Sequence, residues 1–178
     1  SGDPQQALVV LDSTCDRDSA DTKLLRAAAF AAEGSLEDAA TIVAALASES
    51  PEAAFLLARI RREQGDPQAA LTALSGWDGT LPSDPNSLRL LLDLRLETGD
   101  AAASESLIAS VKERNLLPAA ETSVALGRLM LQQRRPSDAA DMFRETLEAA
   151  DLSAPVRANA RLGLARALAE LGAEPRAR

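Results

Sequence analysis

One short phrase returns five times along the chain: GDPQQAL at Gly2 to Leu8, GSLEDAA at Gly34 to Ala40, GDPQAAL at Gly65 to Leu71, GDAAASE at Gly99 to Glu105, and RRPSDAA at Arg134 to Ala140. Their first residues stand 32, 31, 34 and 35 positions apart. A fixed period of this size calls for a row of like units, each burying its apolar face on its neighbours, rather than one closed core. Each phrase suits the turn inside a helical hairpin. Glycine supplies the left-handed residue that ends one helix, and aspartate, serine or proline starts the next. The flanks read as helices. Ala53, Ala54, Leu56, Leu57 and Ile60 before Gly65, and Ala70, Leu71, Ala73 and Leu74 after it, recur at three- and four-residue intervals. Breakers separate successive hairpins at Ser50-Pro51, in the loop from Gly76 to Pro85, at Leu117-Pro118 and at Ser153-Ala154-Pro155.

Composition narrows the chemistry. Aromatics are only 2% and alanine is abundant, which favours close helix packing over a sheet or barrel. Charged residues make up 26% with a net charge of −8, and the two signs are interspersed, so the surface is solvated helix and nucleic acid is a poor partner. The single cysteine, Cys15, excludes an internal disulfide framework and a thiolate metal cluster. The chain has no histidine, which removes the usual general base, the histidine-containing triads and most catalytic zinc sites. The GWDG sequence around Trp77 has neither the spacing nor the lysine of a phosphate-cradling loop. Glu37 and Asp38 are adjacent and so point about 100° apart on a helix, as solvated side chains do. No catalytic, cofactor-binding or metal-ligating set is expected. No apolar run approaches the roughly 20 residues of a bilayer span, and the first residues lack a secretion signal, so the segment reads as soluble, cytoplasmic or periplasmic.

With these residues in view, the chain resembles the tetratricopeptide-repeat family in a degenerate, alanine-rich version. The small residue of the first helix appears as Ala27, Ala58, Gly127 and Ala165, seven positions before each turn residue. The alanine of the second helix recurs as Ala7, Ala39, Ala70 and Ala139, with Ser104 in the Gly99 copy. The large apolar residue four further on is Leu11, Val43, Leu74, Ile108 or Phe143. The closing proline survives as Pro51 and Pro82, the tyrosine only as Phe30, and the opening tryptophan nowhere. The resemblance implies an all-α, right-handed superhelical solenoid of antiparallel helix pairs. It divides into a partial repeat 1–19, repeats 20–50, 51–84, 85–119 and 120–153, and a partial repeat 154–178 in which Leu171-Gly172 reads as the next turn. The orphan half-repeats at both ends suggest a segment of a longer protein. Trp77 and Phe143 read as packing residues.

The resemblance further implies a scaffold or adaptor that holds a partner peptide or helix in a groove lined by the first helices, and no enzyme. The side chains expected there are Phe55, Arg59, Arg62, Arg89, Asp93, Val124, Arg128, Leu162 and Arg166, with Leu24, Leu96 and Leu131 projecting the same way. An arginine stripe broken by apolar residues suits an acidic or amphipathic segment, because guanidinium grips carboxylates bidentately. The plainer reading is that arginine is this chain's preferred cation, since Lys23 and Lys112 are its only lysines. Some family members clamp chaperone tails with lysine and asparagine, but the corresponding positions here carry Leu24, Leu25, Ala28, Leu56 and Leu90. Two alternatives stay open. The stretch could be a structural spacer of a long repeat protein in an export or membrane-associated assembly, or a regulatory segment of an enzyme whose catalytic domain lies elsewhere.

Overall fold

A computed structural model describes residues 19–77 and 81–173. Nine α-helices and one 3₁₀ turn occur among them, with no strand. They are α1 (Ala20–Ala32), α2 (Leu36–Ala44), α3 (Pro51–Glu63), α4 (Pro67–Leu74), the 3₁₀ turn Ser75–Trp77, α5 (Pro85–Glu97), α6 (Ala101–Glu113), α7 (Ala119–Gln132), α8 (Pro136–Glu148) and α9 (Ala154–Ala173). The first turn phrase with its orphan helix, Cys15 and the loop residues 78–80 lie outside the described residues.

The turn phrases do what their residues dictate. Gly34, Gly65 and Gly99 take φ of +87°, +84° and +77°, the left-handed region that glycine enters without a Cβ penalty. The fifth copy places Arg134 there at φ 59°. After Gly65 and Gly99 the next helix is started by an aspartate side-chain cap, whereas Ser35 after Gly34 and Arg135 after Arg134 make none. Asp66 Oδ1 accepts from the Ala69 N–H at 2.8 Å, and Asp100 Oδ1 from the Ala103 N–H at 3.0 Å. Between hairpins, Ser50 Oγ accepts from the Ala53 N–H and Asp84 Oδ2 from the Ser87 N–H. The Ser87 backbone N–H, and then its hydroxyl, hold the Asp84 carboxyl below the usual carboxylate range. Pro51, Pro67, Pro85 and Pro136 each open a helix, where a missing N–H costs nothing.

The chain forms two compact units that divide within α5, at Leu90 and Leu91. In the first, α1 packs on α2, α2 on α3 and α3 on α4, while α1 also meets α3. Its core gathers Ala27, Ala39, Ala40, Val43, Leu57 and Ile60. Small residues at the closest approaches, such as Ala27, Ala39, Ala58 and Ala70, are fully buried, as the repeat pattern requires. Trp77 is a packing residue, its indole N–H donating to the Ala47 carbonyl at 3.1 Å.

In the second unit α6 packs on α7, α7 on α8 and α8 on α9, and α9 also meets α7. Phe143 is fully buried, and its ring fills the space left by two glycines. A Cβ on Gly127 would stand 2.7 Å from Phe143 Cε1 and Cζ, and one on Gly163 would strike the same ring. The small residues of α9 that meet α8 and α7 are Ala160, Gly163 and Ala167, while Ala165 is exposed and its expected partner helix lies outside the described residues. One expectation is corrected here: α9 does not turn at Gly172, since the helix runs on to Ala173 and Gly172 has no positive φ.

Candidate interaction surface

In the first unit the expected surface residues form a stripe on α3. Phe55, Arg59 and Arg62 are four and then three residues apart, so their side chains leave the same face of the helix. Phe55 and Arg62 are half-buried and Arg59 is exposed. Arg61, one position round, turns elsewhere and pairs with Glu37 of α2 at 3.8 Å and with Gln64. Arg89 on α5 is half-buried, and its Nη1 donates to Asn86 Oδ1 at 3.0 Å, one turn earlier in the same helix.

In the second unit Arg128 of α7 and Asp93 of α5 form an ion pair and hydrogen bond, their side chains 35% and 33% exposed. Beside them the Gln132 amide donates to the Leu96 carbonyl at the end of α5, which also accepts the Gly99 N–H of the turn. Val124 is only 6% exposed and packs in the core cluster with Phe143 and Ala160, so its methyls are not offered at the surface. Leu96 and Leu131 are buried as well. The physical reason is that a first helix lies between two second helices, and most of its circumference is covered. On α9, Leu162 is 71% exposed and Arg166 one turn on is exposed and pairs with Glu170 at 3.3 Å.

The sequence reading passed over a cleft in the second unit, bordered by α6 and α8 and floored by α7, with Lys112 and Glu145 among its lining residues. Its one sequence signal is that Lys112 is one of two lysines in an arginine-rich chain. Among the described residues no three histidine, cysteine, aspartate or glutamate side chains are grouped to hold a metal ion, and no helix is long and apolar enough to cross a membrane.

Comparison with known proteins agrees with this geometry. A family model described as Tetratricopeptide repeat matches residues 24–87 and 124–178, about two thirds of the chain. No curated protein matches it. Such repeats are generally protein–protein interaction modules and typically non-catalytic. Left-handed caps at a period near 34, small residues at the helix contacts and consecutive hairpin packing are thus joined by a direct family match, and the chain belongs to the tetratricopeptide-repeat family.

Proposed function

We propose that the chain is a scaffold or adaptor that binds an acidic, partly apolar segment of another protein along the exposed faces of its first helices. The observation that carries this is the α3 stripe, where Phe55, Arg59 and Arg62 share one face in a chain whose net charge is −8. An exposed Arg59 with no ion pair among the described residues is available to a carboxylate. The edge of Phe55 offers apolar contact beside it. The second unit supports the same chemistry differently, because Arg128 is already held by Asp93. A partner carboxylate approaching Arg128 competes with Asp93, so this pair orients the guanidinium more than it attracts.

The test is binding of a synthetic peptide of alternating glutamate and leucine, followed by fluorescence anisotropy. Arg59→Glu should weaken it about tenfold or more while the helical circular dichroism signal is kept, since an exposed charge contributes little to folding. Wild-type affinity should fall with salt. The control Asp38→Arg, an exposed change on α2 outside the stripe and outside any ion pair among the described residues, should leave binding unchanged. Loss in the control with retention in the α3 variant would overturn the reading.

A further inference from the structure

The cleft of the second unit has a volume of about 570 Å³, within the range of about 300–1,000 Å³ common for ligand and peptide-anchor sites. Its apolar lining comes from four places, Ile108 on α6, Leu117 in the turn, Leu126 on α7 and Met142 on α8. The two threonine hydroxyls in its wall make no demand on a ligand. Thr122 Oγ1 donates to the Pro118 carbonyl and Thr146 Oγ1 to the Met142 carbonyl, at 3.3 and 2.8 Å. Besides the Asn115 and Ser123 side chains, what remains is an apolar slot with one charge on each rim, Lys112 on the α6 side and Glu145 on the α8 side. Both are exposed, and neither has an ion-pair partner among the described residues.

We propose that this cleft is a second docking site, which takes an amphipathic helix of a partner protein with its apolar residues in the slot, a carboxylate beside Lys112 and a basic side chain beside Glu145. Opposite charges on the two rims select the occupant. A uniformly acidic segment would meet Glu145 and a uniformly basic one would meet Lys112, and each like-charge contact costs affinity. The slot lies between two helices and has a methionine in its wall, which suits apolar anchors spaced three and four residues apart.

The site is separate from the first-helix surface. At about 100° per residue, Ser123 and Leu126 of the cleft stand about 140–160° around α7 from Arg128. The two docking modes can therefore be tested apart.

The probes are three synthetic helical peptides with the same leucine and methionine core, flanked by glutamate and lysine, by two glutamates, or by two lysines. Fluorescence anisotropy with the whole chain should show the mixed peptide binding about tenfold tighter than either other. Lys112→Glu, an exposed change that leaves folding intact, should transfer the preference to the doubly basic peptide. Ser123→Trp, filling the slot, should weaken all three about tenfold or more. Equal affinities for the three peptides, or no effect of Lys112→Glu, would overturn the proposal. So would a mixed-peptide affinity lost in Arg128→Glu but kept in Lys112→Glu, because the peptide would then lie on the other side of α7.

Discussion

Gly163→Ala adds one methyl group at a place where the structure leaves none free. Two effects of opposite sign compete. Alanine gains about 1 kcal/mol over glycine in a helix interior. Against that, the new Cβ would stand 2.6 and 2.7 Å from Cε1 and Cε2 of Phe143, and closer still to Cζ. Carbon atoms are at ease near 3.5–4.0 Å. The ring cannot retreat towards α7, because Gly127 already lies against the same ring edge and Phe143 is fully buried. Forcing a methyl into a filled core costs about 1–3 kcal/mol, so the net should be a loss of about 1 kcal/mol.

Urea denaturation followed at 222 nm measures it, and a double-mutant cycle identifies the cause. In a Phe143→Leu background the clash is gone and only propensity remains, so Gly163→Ala should then stabilise by about 1 kcal/mol. The coupling would be about 2 kcal/mol. If Gly163→Ala stabilises the wild-type protein, or if the two changes simply add, the ring is not wedged between α7 and α9 and the account of the second core fails.

Three further outcomes are expected. Arg134→Gly should raise the urea midpoint, corresponding to about 1 kcal/mol, because Arg134 is held at φ 59° where the other turn phrases have glycine. Ser104 is fully buried and its hydroxyl has no hydrogen-bond partner among the described residues, so Ser104→Ala should stabilise by about 1 kcal/mol in thermal melts, where a loss would reveal a further partner. Lacking histidine, the protein should melt at nearly the same temperature from about pH 6 to 8. Asp84 and Glu52 are both held below their ordinary values of 3.8 and 4.5, Asp84 by the Ser87 N–H first and Glu52 by its own backbone N–H and then the Ser50 hydroxyl. Their contribution is therefore complete above those values and lost as pH falls through the lower folded-state values, and Asp84→Asn should flatten part of that acid-side decline.

The turns were legible because glycine followed by an aspartate or serine is a local instruction, carried out by a few adjacent backbone groups. Gly34, Gly65 and Gly99 are where the phrases put them, and even Arg134 takes the left-handed cap on register alone. The small contacts were legible for the same reason at Ala27, Ala39 and Ala139, since each is fixed by its distance from its own turn. The last helix was not. Counting back from Gly172 points to Ala165, which meets none of the described helices, whereas the side of α9 that is buried is set by the helices it does meet, where α8 presents Phe143 to Gly163. A count from a turn fixes contacts within a hairpin, whereas contacts between hairpins answer to the neighbour's largest side chain.

The same asymmetry governs what the sequence could say of the binding surface. On α7 the residues Thr122, Val124, Ala125, Gly127, Leu129 and Leu131 are all buried, an arc wider than the apolar stripe of a helix covered on one side only. A helix enclosed this way exposes little, so an inward-facing apolar residue such as Val124 cannot be told from a core residue by periodicity. Charge breaks the degeneracy, because a guanidinium does not go fully into such a core unpaired. Arg59 and Arg128 do reach partial or full exposure, one without an ion pair among the described residues and one held by Asp93. The charged positions of the first helices are thus the ones at which sequence carries information about the surface, and the apolar contacts beside them become readable only when the neighbouring helices are in place.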